Sequence, residues 1–184
     1  MGRGHSVRPA HKRDVASIIG ITNREIREGT AHFGTVEDSV EDGLRLFEAR
    51  GLYPWFVAVD PDDRVIGFAR AGRWDARGGY DWTTMIAVYV RPERQGSGVG
   101  RSLYAELFPA VEALGIRTII AGIALPNPAS VRLHESFGMA YAGVFQRAGF
   151  KHGRWIDVAY WVRHLGDGPP QGITPTIAAP TARG

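Results

Sequence analysis

Between Val88 and Ser102 the chain reads Val-Tyr-Val-Arg-Pro-Glu-Arg-Gln-Gly-Ser-Gly-Val-Gly-Arg-Ser. Ile86, Val88, Tyr89 and Val90 have β character, and Leu103, Tyr104, Leu107, Phe108 and Val111 recur at helical spacing, so the stretch reads as a strand, a glycine loop and a helix start. The N–H groups of a helix's first turn lack partners inside the helix, and the helix dipole favours negative charge there. Glycines at 96, 98 and 100 keep side chains away from those groups, with Arg94 and Arg101 alongside, an arrangement suited to holding a pyrophosphate. The Walker pattern fails, because Gln95 stands where its first glycine belongs and Arg101 replaces its lysine; the dinucleotide fingerprint fails because the third glycine comes one residue early. What remains is Gln95-x-x-Gly98-x-Gly100. Taken alone, this loop fits equally well a tight strand-to-helix turn that binds nothing.

The elements that would carry the loop follow from periodicity. Val7 and Arg8 suggest a short first strand. A helix from Asp14 buries Val15, Ile18, Ile19 and Ile26, and a second, capped by Thr35 and Asp38, buries Val36, Val40, Leu44 and Phe47. The runs 53–59 and 65–71 flank Asp60-Pro61-Asp62-Asp63 as a hairpin. After the glycine loop's helix come a strand at 118–123, a short helix at 127–137 and two strands near 141–146 and 155–162. The order β-α-α-β-β-β-α-β-α-β-β describes an α/β (α+β) mixed sheet with helices on both faces, forming one domain over 1–164. The tail, 165–184, has four prolines and four glycines and little to pack, and is expected to be disordered.

Composition sets the limits. The 184 residues are 44% hydrophobic and 22% charged, ordinary for a globular protein. The 22 basic residues exceed the 19 acidic by three and are scattered, which suits small anions and argues against nucleic acid. With no cysteine and no metal-ligand spacing among six histidines, disulfides, thiolate chemistry and a bound metal are not expected. No apolar run approaches membrane-spanning length and no leader is recognisable, so a cytoplasmic protein without membrane contact is expected.

Several motifs then fall in register with one known family. Gln95-x-x-Gly98-x-Gly100 after a strand, Asn127, and Leu133-His134-Glu135-Ser136-Phe137-Gly138-Met139 resemble the GNAT superfamily of acetyl-CoA-dependent N-acetyltransferases. Tyr53-Pro54-Trp55, Tyr80-Asp81-Trp82-Thr83, Leu125-Pro126-Asn127, Ser130-Val131-Arg132 and the segment Ala148 to Trp155 are similar, more narrowly, to the phosphinothricin acetyltransferase family. The resemblance spans about Val7 to Val162 and implies a GNAT-like fold, acetyl-CoA as cosubstrate, a small amino-acid-like amine acceptor and a homodimer. It assigns Gln95, Gly96, Ser97, Gly98, Val99, Gly100 and Arg101 to the CoA pyrophosphate. Val88, Tyr89 and Val90 fall to the pantetheine arm and acetyl group, Val88 and Val90 through their main chain. Asn127 and Ser130 are further CoA contacts, although asparagine at 127 also suits a helix N-cap.

The same resemblance makes His134 the catalytic candidate, as acid for the leaving thiolate or as base for the amine. It points to Phe33, Trp74, Arg77 and Tyr80 as the acceptor pocket, with Lys151 and Trp155 completing it or the dimer interface. Two positions depart from the pattern: relatives have a glutamate where this chain has Met85, and a cation where it has Asp75. Met85 leaves open a base role for His134, a relay through water, or a protein that binds acyl-CoA without reacting it. Acetylation of a protein amine is a further alternative, which a short aromatic pocket disfavours.

Overall fold

The computed structural model describes residues 4–168. Its elements are β1 (Ser6–Pro9), α1 (Val15–Glu28), α2 (Val40–Ala49), β2 (Trp55–Val59), β3 (Val65–Arg73), β4 (Thr83–Val90), α3 (Val99–Ala113), β5 (Thr118–Ala124), α4 (Pro128–Ser136), β6 (Ala140–Lys151) and β7 (Arg154–His164). They form a seven-stranded sheet in the order β1-β2-β3-β4-β5-β7-β6. The expected element order and mixed sheet are both present; of the tail, residues 169–184 lie outside the described residues.

Strand alternation divides the apolar residues between two cores. On one face Ile66, Ala69, Ala71 and Ile86 pack under Leu103, Tyr104, Leu107, Phe108 and Val111 of α3, with Val131 and Leu133 of α4 at the margin. On the other, Trp55, Val57, Val59, Val65 and Phe68 meet Val15, Ile18 and Ile19 of α1 and Phe47 of α2. Gly43 allows α1 and α2 their close approach: a Cβ there would stand 2.4 Å from Ile19 Cγ1.

Two local expectations are corrected. The second helix is capped by Ser39, whose hydroxyl accepts from the Asp42 N–H at 3.0 Å, rather than by Thr35 and Asp38. Val36 is consequently exposed in the preceding loop, and Asp38 is tied instead to Asn23, whose Oδ1 accepts its N–H at 2.9 Å. Strand β6 also runs five residues past Gln146, because a bulge between Phe145 and Gly149, with Arg147 at φ 53°, carries the ladder across a segment whose alternation is broken.

One irregularity of the sheet matters most. β4 and β5 are parallel and paired only through Thr83–Thr118, Thr84–Ile119 and Met85–Ile120. Beyond Met85 the two strands diverge and a cleft opens inside the sheet. The Arg91 N–H donates to Ile66, so by alternation Tyr89 and Ala87 direct their main-chain groups into β3, while Ile86, Val88 and Val90 direct theirs into the cleft.

Candidate functional site

The glycine loop lies where β4 leaves the cleft and α3 begins. Gly98 is the N-cap of α3 in the left-handed region (φ 85°), Gly96 is also left-handed (φ 71°), and no side chain caps the helix. The first N–H used inside the helix is that of Ser102, donated to Gly98 at 3.0 Å, so the N–H groups of Val99, Gly100 and Arg101 stay available. A Cβ at position 96 or 98 would meet nothing within 4 Å, so the space above these glycines is open to a ligand. Gly100 serves packing, since a Cβ there would stand 3.1 Å from Leu133 Cδ2 of α4. Ser97 and Gln95 brace the loop. The Ser97 hydroxyl donates to the Arg94 carbonyl at 2.6 Å, and Gln95 Nε2 donates to the Val90 carbonyl at 3.2 Å. An uncapped helix start with its glycines turned outward is a cradle for a phosphate group.

The flanking charges are placed less symmetrically than the sequence suggests. Arg101 lies over the Phe137 ring, 5.9 Å from its centroid. Arg94 lines a separate cavity of about 760 Å³ with Arg13, Asp60, Asp63 and Arg91, and its Nε and Nη2 have no acceptor among the described residues. Tyr89, expected at the pantetheine arm, has its main chain committed to β3 and its ring on the opposite face, stacked on Phe68 at 5.4 Å. Val88 and Val90 direct their main-chain groups into the cleft.

At α4, Asn127 is the N-cap, its Oδ1 accepting from the Ser130 N–H at 3.1 Å. The cap leaves its amide NH2 free for other contacts. His134 is buried, 4% exposed, and both ring nitrogens are engaged: Nδ1 lies 2.7 Å from the Ser130 carbonyl and Nε2 2.8 Å from the Tyr104 hydroxyl. A carbonyl can only accept, so Nδ1 carries the proton and Nε2 accepts from Tyr104. Burial lowers the histidine's pKa, opposed by the bond to Ser130, and raises that of fully buried Tyr104 well above its ordinary value. His134 is thus a neutral imidazole joining α4 to α3. The sequence showed Tyr104 only as a core residue, and no spacing rule links positions 104 and 134.

The expected acceptor residues fall into separate groups. Arg77 is exposed; it grips Asp75 through Nε (2.9 Å) and Nη2 (3.1 Å) and lies 5.4 Å from the Tyr80 ring centroid. That grip holds the Asp75 carboxyl down at about 2, so Arg77 is paired at neutral pH. Trp74 meets Tyr160 edge-on at 6.1 Å. Phe33 lies against Gly149, where a Cβ would come within 2.6 Å of its ring, and Lys151 Nζ donates to the carbonyls of Glu25 (3.1 Å) and His32 (2.7 Å). The β6–β7 ribbon therefore touches both Phe33 and Trp74 but does not bring Arg77 to them. Met85 sits at the floor of the cleft, its Cε 3.4 Å from where a Cβ on Gly122 would stand.

Residues 7–160 match the Acetyltransferase (GNAT) domain family. The chain is 39% identical to phosphinothricin N-acetyltransferase of Streptomyces viridochromogenes, over 92% of this chain and 93% of that one. It is 33% identical to an L-methionine sulfoximine/L-methionine sulfone acetyltransferase of Salmonella typhimurium, over 84% and 91% of the two chains. An acetyltransferase of Salmonella typhimurium solved with its cofactor acetyl-CoA superimposes with a TM-score of 0.87 at 32% identity, covering 92% of this chain and 99% of that one. A phosphinothricin acetyltransferase of Sinorhizobium meliloti in complex with acetyl-CoA gives 0.85 at 35% identity, over 91% and 93%.

Proposed function

The chain belongs to the GNAT acetyltransferase family, and from that premise we propose that it moves acetyl from acetyl-CoA to the amine of a small amino-acid-like acceptor of the phosphinothricin, methionine sulfone or methionine sulfoximine type. The observation that carries this is the junction of the β4–β5 cleft with the uncapped, glycine-lined start of α3. Val99, Gly100 and Arg101 hold the pyrophosphate on their N–H groups, and the main chain of Val88 and Val90 lines the path of the pantetheine arm. Asn127 and Ser130 border it from α4. With the cosubstrate entering from the α3–α4 face, the acceptor approaches from the α1–α2 face.

In direct transfer the neutral amine nitrogen attacks the thioester carbonyl, the C–S bond breaks, the amine loses a proton and the CoA thiolate gains one. The acceptor is protonated at neutral pH, so a group must take that proton. His134 is the candidate within α4, and it reaches the reaction only by exchanging Tyr104 for another partner at Nε2. The alternative reading, binding of acyl-CoA without reaction, rests on Met85.

Thiol release measured against phosphinothricin, methionine sulfone, methionine sulfoximine and the common amino acids decides between them. Turnover of at least one is expected; tight CoA binding with no release for any acceptor would establish the alternative. Met85→Glu is expected to raise the rate several-fold below neutral pH, where the acceptor is most fully protonated. No change would show that the proton leaves by a route that does not need a carboxylate at this position.

We place the protein in the cytoplasm, where acetyl-CoA is at hand. No helix among the described residues is long and apolar enough to cross a membrane. We further propose a homodimer formed through β6. This strand ends the sheet, and Tyr141, Val144, Phe145 and Phe150 on it, with Trp155 on β7, are 41–66% exposed, more large apolar surface than an edge strand usually leaves bare. Light scattering is expected to give twice the chain mass for the wild type and a single chain mass for Phe145→Asp. A monomeric wild type would refute the dimer.

A further inference from the structure

Arg70 stands in β3 between Ala69 and Ala71, opposite Trp55 on β2 and Ala87 on β4, with its side chain on the α1–α2 face. It is half-buried, yet among the described residues no carboxylate lies within ion-pair distance of it and no hydrogen bond holds its guanidinium. Its one defined neighbour is the Trp55 ring, 5.1 Å from the guanidinium carbon. Burial lowers its pKa, and Tyr89 and Asp38 oppose that only through space. A half-buried cation without a protein partner has lost part of its hydration, and an anionic ligand would supply the missing charge.

The surroundings add further donors. Trp55 Nε1 is buried with no acceptor. His32 Nδ1 accepts the Gly34 N–H at 3.0 Å, so the neutral ring carries its proton on Nε2, and burial, reinforced by the charge of Arg70, keeps that ring neutral. The Tyr89 ring lies 6.1 Å from His32, and its hydroxyl is only 3.5 Å from the Ala31 carbonyl, a weak contact. Lys151, which also bears on His32, is spent on two carbonyls; Glu25, the nearby acid, accepts the Ala31 N–H at 2.8 Å. The loop cation Arg77, meanwhile, is already neutralised by Asp75.

We propose that Arg70, with Trp55 Nε1 and His32 Nε2, forms the subsite that receives the acceptor's carboxylate, in place of the loop arginine. This rests on the acetyl-transfer reading above and deepens it. β3 lies one strand, about 4.8 Å, from β4, whose far side opens on the cleft. In the productive pose the carboxylate sits on Arg70 and the amine, one carbon away, turns toward β4 and the cleft. Ala87, opposite Arg70, is small, and a Cβ at Gly72 would meet nothing within 4 Å.

The test compares methionine sulfone with its carboxamide, which lacks the charge. The wild type is expected to show a KM at least tenfold lower for the acid. In Arg70→Gln that preference should fall to within about twofold, with the KM for acetyl-CoA unchanged, whereas Arg77→Gln should retain it. The melting temperature of Arg70→Gln should be no lower than that of the wild type, since an unpaired cation is removed. Preference retained in Arg70→Gln, or lost in Arg77→Gln, overturns the proposal. If neither compound is acetylated, the transfer reading fails on its own account, and calorimetry with methionine sulfone and CoA-loaded protein reads the subsite directly. Binding lost in Arg70→Gln supports it; equal binding, or none to the wild type, overturns it.

Discussion

Gly98→Val is expected to cost the protein its cosubstrate before it costs it its fold. Residue 98 caps α3 at φ 85°, and a side chain added there meets no protein atom within 4 Å. The penalty within the protein is therefore that of a β-branched residue in the left-handed region, about 1–3 kcal/mol. That is a fraction of the 5–15 kcal/mol typical of a domain. The penalty on binding is larger. The isopropyl group fills the space above the N–H groups of Val99, Gly100 and Arg101, and hydrogen bonds to a charged ligand contribute about 1.5–3 kcal/mol each. Losing two predicts at least about a hundredfold weaker acetyl-CoA binding. Calorimetry gives the affinity and circular dichroism the fold. A change smaller than tenfold in a folded variant would show that the pyrophosphate is not seated at α3.

The second large effect is at His134. Alanine there removes a buried ring and strands the Tyr104 hydroxyl, for an expected loss of about 3–5 kcal/mol from cavity and unmet hydrogen bond together. Tyr104→Phe keeps the ring packing and leaves Nε2 without its donor, at about 1–2 kcal/mol. The pH dependence carries a sign. The folded-state pKa of His134 lies below the value of about 6.5 it has in the unfolded chain, so below that pH the unfolded chain binds a proton that the folded protein refuses. Its contribution is complete above about 6.5 and declines as pH falls toward the folded pKa; His32 acts in the same direction. Denaturant melts between pH 7.5 and 5 should show this decline, and it should be shallower in His134→Ala. If His134 also carries the proton in transfer, kcat in that variant falls by a factor of about 10²–10⁴ under conditions where it is folded. The Tyr104→Phe enzyme should then keep most of its rate with a shifted pH profile. A folded His134→Ala with wild-type kcat would leave the histidine as a tie between two helices and nothing more.

Much of this was readable from the residues. Period-2 and period-3.6 patterns were strong enough in β2, β3, α1 and α3 to set the order of elements, and the glycines at 96 and 98 announced an open helix start. The start of the second helix is not legible in the sequence, because Thr35-Val36 and Ser39-Val40 offer similar caps and only the Asn23–Asp38 bonds, formed across fifteen residues, decide between them. The divergence of β4 from β5 leaves no mark in either strand, being a property of their pairing. Arg70 did carry a signal, a charge inside the apolar run Val65 to Ala71, but its significance depends on what fails to pair with it, which only three dimensions reveal. Arg77 was legible as a cation and Asp75 as a departure; their mutual neutralisation required the loop's conformation.

The cleft inside the sheet bears on how such a protein can change. In the arrangement proposed above, recognition across it rests on main-chain groups, which any residue type but proline at Val88 or Val90 would supply, while the opposite face relies on side chains such as Arg70, His32 and Trp55. The donor half of the reaction is thus insulated from substitution, and the acceptor half can be rewritten one residue at a time. A lineage built on this sheet can exchange one amine for another without relearning how to hold the molecule that delivers the acetyl group.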